Sequence, residues 1–247
     1  LTKELMKKTR RANKFRISNV SFLNSLPYKE VENISWVEYS ECDPAECARK
    51  LHEDEADLAL IPLAEALQHG DYQILDYGII ARNEVDSVYL FSKKPLSELK
   101  RIFIDQNSHS SVTLLNLLLD KKLPLYRVNT EEKVDSLDDE TGILIIGDRA
   151  RALKNKFAEQ IDLAKLWREK TKLPFVFAVW AARKNTLSEK MMEELYAHFE
   201  KGIEKREEIA KTWAQENSED KDSAIHYLKT NISYALDEDA RAGIKTF

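Results

Sequence analysis

The segment RISNVSFLNSLPYKEVENISWVEYSECDPAECARKLHEDEADLALIPL, residues 16–63, decides the fold, because strand-like and helix-like runs alternate along it. RISNV, SWVEY and ADLALIPL are short and apolar enough to read as strands. Between the last two, DPAECARKLHEDE is helix-like, and its Asp43 and Pro44 favour a helix start with Asp43 as the cap. This alternation is typical of a parallel sheet covered by helices.

The same alternation returns further along the chain. SVYLFSKK, RIFIDQ, NSHSSVTLLNLLLDKK, PLYRVN and GILIIGDRA are strand and helix by turns, PFVFAVWAARK is another strand, and charged amphipathic helices follow it. We predict an α/β protein with two lobes and a ligand cleft between them. Residues 13–86 and 178–247 form the first lobe, residues 87–177 are inserted as the second, and hinges lie at 85–88 and 174–178.

The composition is that of an ordinary globular protein, with 43% hydrophobic and 33% charged residues in a chain of 247. Its 38 basic and 43 acidic residues leave a net charge of −5, which provides no field to attract nucleic acid or an acidic membrane. The sequence has no apolar run near the roughly 18 residues of a membrane helix. We therefore expect neither nucleic acid nor membrane as a partner.

The N-terminal segment and the cysteines limit the cellular context. KFRISNV is too short and too polar for the apolar core of a secretory signal, so we expect a cytoplasmic protein. A mature form without its signal would look the same, and Met6 is a candidate for the native start. Cys42 and Cys47 stand in one short segment with no second pair and no nearby His cluster, which indicates neither a disulfide framework nor a metal site.

Two polar stretches are candidates for the ligand site. In VSFLNSLPY, residues 20–28, the polar side chains of Ser21, Asn24 and Ser25 are uncharged and stand among apolar neighbours. In SHSS, residues 108–111, hydroxyls follow the strand RIFID and open an apolar helix, where free amides favour an anion. Ligands of such sheets bind at the carboxyl ends of the strands, so both stretches are expected on the cleft.

Six blocks of sequence occur in order from about Val20 to Arg183: VSFLNSLPY, DLALIPLAEALQHGDYQIL, SVYLFSKKPLSEL, DQNSHSSVTLLNLLL, LIIGDRA and TKLPFVFAVWAAR. As a set they resemble the chorismate dehydratase family of the futalosine route to menaquinone. The resemblance implies a fold similar to that of type II periplasmic binding proteins. It also implies a cytoplasmic enzyme that converts chorismate to 3-(1-carboxyvinyloxy)benzoate by losing water, without a cofactor.

Carried over to this chain, the resemblance implies that Asn24 is the reactive residue and that the serines of residues 108–111 bind a substrate carboxylate. The chain departs from the family's usual residues at Ser25, where Thr is more usual, at His109, where Arg is common, and at Lys172, where Gly often precedes Leu-Pro-Phe. The predicted substrate-binding residues are Ser21, Ser25, Ser108, His109, Ser110 and Ser111.

The chemistry of this reaction explains why uncharged donors suit the site. Removal of the C3 hydrogen of chorismate generates a vinylogous enolate, which expels the C4 hydroxyl and becomes aromatic. The protein must add orientation, donors aimed at the growing negative charge, and exclusion of water. An amide and hydroxyls do this without holding the ground-state anion too tightly.

The sequence does not identify the base that removes the C3 proton. The resemblance leaves room for the substrate's own side-chain carboxylate, and the protein candidates are Glu65, His109 and Asp148. Each also has a simpler structural interpretation, which we favour: a helix-start charge for Glu65, an anion-site donor or an exposed residue for His109, and a helix cap for Asp148. Asn24 alone would equally suit a turn, and the serines of residues 108–111 a capping cluster.

Other functions remain open from the sequence. A solute-binding protein without catalysis would share the fold, and a related dihydroxynaphthoate synthase acts later in the same pathway but has a different opening motif. A DNA-linked ligand sensor is disfavoured, because the sequence has no helix-turn-helix segment. The expected partner is chorismate as a small-molecule substrate, and the expected assembly is a monomer or homodimer.

Overall fold

The computed structural model of the protein describes residues 14–105 and 109–247. Ser108, the candidate start Met6 and residue 13, where the first lobe is predicted to begin, lie outside the described residues. Within the described residues, no helix combines the length and the apolar character that a membrane crossing needs.

Eleven strands are present in the described residues, and they form two sheets. The strands are β1 (Phe15–Val20), β2 (Val37–Cys42), β3 (Leu58–Pro62), β4 (Tyr72–Ala81), β5 (Val88–Ser92), β6 (Arg101–Ile104), β7 (Leu125–Arg127), β8 (Thr141–Ile146), β9 (Glu159–Asp162), β10 (Phe175–Arg183) and β11 (Ile232–Ala235).

Both sheets mix parallel and antiparallel pairs. The larger has the order β11-β4-β10-β3-β1-β2, and the smaller has the order β7-β6-β8-β5-β9. The prediction of a parallel sheet holds only for part of each: parallel pairs join β1 to β2 and β3 in one sheet, and β6 to β7 and β8 in the other. Antiparallel strands complete each sheet, with β10 between β3 and β4, and β5 between β8 and β9. The two-lobed α/β prediction is confirmed.

Ten α-helices connect and cover the strands in the described residues. They are α1 (Pro44–His52), α2 (Leu63–Gln68), α3 (His109–Leu118), α4 (Thr130–Lys133), α5 (Asp148–Ala152), α6 (Leu163–Thr171), α7 (Glu189–Glu204), α8 (Arg206–Asn217), α9 (Lys221–His226) and α10 (Glu238–Thr246). Three 3₁₀ helices, Leu23–Asn33, Leu96–Glu98 and Val134–Ser136, and a π-helix, Tyr227–Asn231, complete the set.

The start of α1 differs in one detail from the prediction. The helix begins at Pro44 and Asp43 occupies the cap position, but the Asp43 carboxylate makes no cap hydrogen bond. The backbone carbonyl of Asp43 instead accepts the first helical bond, from Cys47 N at 2.9 Å. The side chain is exposed, so solvent rather than the helix satisfies it.

The 3₁₀ helix Leu23–Asn33, which carries Asn24, is held firmly against the larger sheet. The Tyr28 ring packs edge-on against Trp180 and Phe199, at centroid distances of 5.4 and 4.7 Å. Its hydroxyl donates to the Gly78 carbonyl at 2.7 Å. On the outer side, Gly202 of α7 approaches the Pro27 carbonyl so closely that a Cβ would lie well inside the 3.0 Å that real Cβ atoms keep.

The chain crosses between the sheets twice, after β4 and before β10. Asp162, at the end of β9, ties the first crossing to the start of α6. Its buried carboxylate accepts from Val85 N at 3.0 Å and from Asp86 N at 2.8 Å. It also accepts from Ala164 N at 2.9 Å and from Lys165 N at 3.0 Å. One side chain therefore organises the backbone where hinges are predicted.

The predicted lobe boundaries fall at different places in these crossings. The boundary between 86 and 87 lies between β4 and β5. The boundary between 177 and 178 lies inside β10, where Phe175 already pairs with Ala81 in the larger sheet. The boundaries and the hinges themselves stay predictions.

Candidate active site

A cavity lies between the two sheets, with an empty volume of about 590 Å³ that includes its opening to solvent. The carboxyl ends of β1, β3 and β8 reach it through Val20, Pro62 and Ile146, which is where ligands of such sheets bind. Most of the wall is apolar and includes Val20, Phe22, Leu60, Ile79, Val88 and Phe177. A mostly apolar wall with a few polar groups is typical of a small-molecule site.

Asn24 presents the amide of the 3₁₀ helix to this cavity, and its residue is only 8% exposed. Its Nδ2 donates to the Tyr227 hydroxyl at 3.0 Å, and that hydroxyl donates to Ser87 Oγ at 2.8 Å. Burial raises the pKa of Tyr227, so its hydroxyl stays protonated. Because an amide carries two N–H groups, Asn24 keeps a second donor beyond the one given to Tyr227.

The N-terminus of α3 forms the opposite wall, through His109, Ser110 and Ser111. Free amides and the helix dipole favour an anion at such a terminus. Ser110 Oγ accepts from Ala64 N of α2 at 3.0 Å, which ties the two lobes together and leaves the hydroxyl proton for another acceptor. The two serines are buried, so a bound carboxylate would meet them away from bulk water.

His109 and Glu65 are in contact at the edge of the cavity. His109 Nδ1 contacts Glu65 Oε1, and the other carboxylate oxygen lies 3.3 Å from His52 Nε2. Burial opposes ionisation of Glu65, but the two neighbouring imidazoles outweigh it and hold the pKa of Glu65 below its usual range. Glu65 stands in the first turn of α2, as its helix-start interpretation predicts.

A further pair of contacts joins the lobes next to Asn24. The carboxylate of Asp148 on α5 accepts from Leu23 N at 3.0 Å. Gly147, with φ of 72°, comes so close to Phe22 that a Cβ would lie 3.0 Å from its ring. The cap interpretation of Asp148 is therefore wrong: Gly147 holds the cap position, and the Asp148 carboxylate bonds across the cleft instead.

Asp148 makes the stability of the protein depend on pH. Burial raises the pKa of Asp148 to about 6, so the folded state holds its proton more tightly than the unfolded chain does. The stabilisation of the folded state by protonated Asp148 is thus fully present at pH values below the ordinary carboxyl pKa and is lost as the pH rises through about 6. We expect Asp148→Asn, which keeps an acceptor for Leu23 N, to add about 1 to 3 kcal/mol at pH 8 and little at pH 4.5. Melting temperatures of the variant and the parent at both pH values test this, and an equal gain at each would contradict it.

A family model described as menaquinone biosynthesis matches residues 15–247. The chain belongs to this family. A relative from Thermus thermophilus, named chorismate dehydratase, is 34% identical and covers 83% of this chain and 83% of its own length.

Solved structures give the fold of this menaquinone biosynthesis family member. A crystal structure of an Archaeoglobus fulgidus protein has a TM-score of 0.78 at 18% identity, covering 96% of each chain. The alkanesulfonate-binding protein SsuA of Xanthomonas axonopodis pv. citri, bound to MOPS, has a TM-score of 0.71 at 13% identity, covering 95% of this chain and 91% of its own. The predicted periplasmic-binding-protein-like fold is confirmed.

The structure brings four of the predicted site residues to one cavity: Asn24, His109, Ser110 and Ser111. It places two others elsewhere. Ser25 is fully buried, and its hydroxyl donates to the carbonyls of Val20 and Phe22. Ser21 is exposed, with Oγ 3.5 Å from the Cys42 carbonyl. The roles of all these residues in this family member stay predictions.

Sequence reasoning missed three residues near Asn24. Ser87 and Tyr227 form the hydrogen-bond chain with its amide, and the Arg151 guanidinium lies 4.4 Å from the centre of the Tyr227 ring. Tyr227 lies 203 residues from Asn24, in a π-helix within the charged C-terminal region. No local pattern connects such distant positions, although π-helical turns are frequent at functional sites.

Proposed function

We propose that the protein is a chorismate dehydratase, a hydro-lyase that converts chorismate to 3-(1-carboxyvinyloxy)benzoate. The observation that carries the proposal is the cavity itself, which joins the uncharged amide of Asn24 to the serine-bearing N-terminus of α3 inside mostly apolar walls. The Thermus thermophilus relative supports the choice of reaction. The substrate is a small dicarboxylate, and the α3 terminus suits one of its carboxylates.

In this mechanism a base removes the C3 proton of chorismate, and its electrons move through the ring double bond onto the ring carboxylate. The enolate then returns them to expel the C4 hydroxyl, which leaves as water after gaining a proton, and the ring becomes aromatic. The second N–H of Asn24 donates to the carboxylate as its charge grows. The apolar walls exclude water, which strengthens this hydrogen bond.

The geometry narrows the choice of base. Neither Glu65, which contacts two imidazoles, nor Asp148, which accepts from Leu23 N, lines the cavity, whereas His109 does. His109 and the substrate's own side-chain carboxylate are thus the two candidates we retain. If His109 is the base, His109→Gln removes most of the turnover, whereas with the substrate's carboxylate as base the variant chiefly weakens binding.

The direct test is incubation of the purified protein with chorismate. We expect loss of the diene absorbance together with formation of one aromatic product whose mass is lower by one water. The second candidate function is a non-catalytic solute-binding protein, which the likeness to the alkanesulfonate-binding protein favours. Chorismate that binds tightly and is recovered unchanged would support that function and reject ours. The cytoplasmic location and the monomer or homodimer state stay predictions.

Ser111→Ala tests the anion site at the start of α3. Removing a hydroxyl that donates to a carboxylate costs about 1.5 to 3 kcal/mol, so we expect chorismate binding to weaken by roughly 10- to 150-fold. Calorimetric titration measures the affinity. Ser136→Ala is the matched control, because Ser136 lies in the same lobe, is exposed, and donates only to the Lys133 carbonyl at 3.2 Å. Equal affinities for the two variants would limit Ser111 to a structural role.

A further inference from the structure

A cluster of two histidines and one glutamate lies outside the cavity, at the surface of the lobe that contains the larger sheet. It joins His52 at the end of α1, Glu65 in α2 and His69 just after α2. One ligand atom from each, two imidazole nitrogens and one carboxylate oxygen, lies within 4.8 Å of the others. None of the three side chains is fully buried, so an ion can reach the cluster from solvent.

The spacing of these groups fits a tetrahedral metal ion. His52 Nε2 and Glu65 Oε2 are 3.3 Å apart. Two ligands of one tetrahedral ion, each at a bond length of about 2.0 to 2.1 Å, are separated by about 3.3 Å. The imidazole of His69 lies beside that of His52, with ring centroids 4.1 Å apart, and its ligand nitrogen lies within 4.8 Å of the other two ligand atoms. Solvent can supply the fourth ligand.

Tyr72 orients one of the two imidazoles for this role. Its hydroxyl lies 2.6 Å from His52 Nδ1, and the Tyr72 side chain is buried. When Nδ1 donates its proton to Tyr72, Nε2 keeps a lone pair that faces the Glu65 carboxylate. Histidine ligands of metals usually donate their second ring N–H in this way. In that tautomer the Nε2 lone pair and the Glu65 carboxylate, 3.3 Å apart, are placed to bind one cation between them.

We propose that His52, Glu65 and His69 form a binding site for a divalent transition metal of the zinc class. Two imidazoles and one carboxylate suit Zn²⁺, whereas Ca²⁺ and Mg²⁺ prefer sites made of oxygen ligands. The sequence did not indicate this site, because the ligands are separated along the chain by 13 and 4 residues and His52 lies on a different helix from Glu65.

The site lies next to the cavity, because Glu65 contacts both His52 of the site and His109 of the cavity wall. The Glu65 oxygen that the metal does not need contacts His109, which lines the cavity. A metal that draws Glu65 towards His52 and His69 therefore moves or loosens the residue that holds His109 in place. We expect occupancy of the site to change the cavity wall. The test of this effect measures chorismate turnover and therefore rests on the proposed function, whereas the test of metal binding does not.

Metal binding is tested with the whole purified chain, stripped with a chelator and titrated with Zn²⁺ against a chromophoric competitor. We expect one ion per chain, and a loss of affinity of at least tenfold in His69→Ala and of about 10- to 100-fold in Tyr72→Phe. His226→Ala, which removes an exposed histidine on α9, is the matched control and should bind as the parent does. Co²⁺ in place of Zn²⁺ should show the strong visible absorption of a four-coordinate ion. Equal Zn²⁺ affinity in His69→Ala and His226→Ala would overturn the proposal.

The link to the cavity is tested separately by chorismate turnover with and without Zn²⁺. We expect Zn²⁺ to alter the turnover of the parent but not of His69→Ala, which lies outside the cavity. A parent that binds Zn²⁺ but has no turnover either with Zn²⁺ or in chelator would reject the proposed function and leave the metal site standing. A parent whose turnover is the same with and without bound Zn²⁺ would overturn the link alone.

Discussion

Asn24→Ala is expected to lower the turnover of chorismate by about 10²- to 10³-fold, because it removes a donor aimed at the charge that grows in the transition state. Asn24 Nδ2 already gives one hydrogen to Tyr227, so the amide plane is set before the substrate binds. Such preorganisation matters more to the transition state than to the ground state, so the turnover number should fall far more than binding weakens. Steady-state kinetics, with melting temperatures alongside, measure both quantities.

Asn24→Asp should be worse than Asn24→Ala. A carboxylate at this position would repel the enolate, and it would accept a hydrogen bond from Tyr227, whose proton now goes to Ser87. Asn33→Ala is the matched control, because Asn33 ends the same 3₁₀ helix but is exposed and donates to the Glu30 carbonyl at 3.2 Å. Near-normal turnover in Asn24→Ala, or a loss explained by melting alone, would refute the assigned role.

Gly202→Ala is expected to destabilise the protein by about 3 kcal/mol or more. Alanine in a helix interior normally stabilises by about 0.5 to 1 kcal/mol relative to glycine, so the expected sign is reversed. The reason is the Pro27 carbonyl, which occupies the place of the new methyl group. α7 must then move away from the 3₁₀ helix and loosen the contact between Tyr28 and Phe199.

The measurement is the melting temperature, which for a chain of this size falls by about 2 to 4 °C for each kcal/mol lost. Gly70→Ala is the matched control, because a Cβ at Gly70 would have nothing within 4 Å. We expect it to leave the melting temperature almost unchanged. A Gly202→Ala protein as stable as Gly70→Ala would mean that α7 and the 3₁₀ helix do not pack as closely as described.

Elements with a strong local pattern could be predicted from the sequence. The buried run Leu58–Pro62 is a strand with the bounds that its apolar residues indicate, and the helix after it begins directly. β4 was not predicted, because Asp76 and Gly78 interrupt its apolar pattern. Gly78 is explained by its partner instead: a Cβ there would meet the Ala178 carbonyl of β10.

The candidate site could also be predicted only in part from the sequence. The position of Asn24 could be inferred from an uncharged amide in an apolar setting, and its partners could not, because Ser87 and Tyr227 belong to distant elements. Ser25 shows the opposite difficulty. Its hydroxyl has the same chemistry as that of Ser111, but it is hydrogen-bonded to the backbone carbonyls three and five residues earlier in the chain. Residue type alone does not separate a ligand-binding hydroxyl from one that closes a turn.

The strand order of the larger sheet also dictates when that sheet can be completed during synthesis. β10 inserts between β3 and β4, so these two strands, neighbours along the chain, have no direct pairing with each other. The smaller sheet uses only strands from Val88–Ser92 to Glu159–Asp162, all of which emerge before β10. Domains generally fold as units while the chain grows, and pairings between distant segments form slowly. A ribosome-bound chain that stops short of residue 174 thus holds every strand of the inserted lobe. In its larger sheet, the place of β10 between β3 and β4 is still empty.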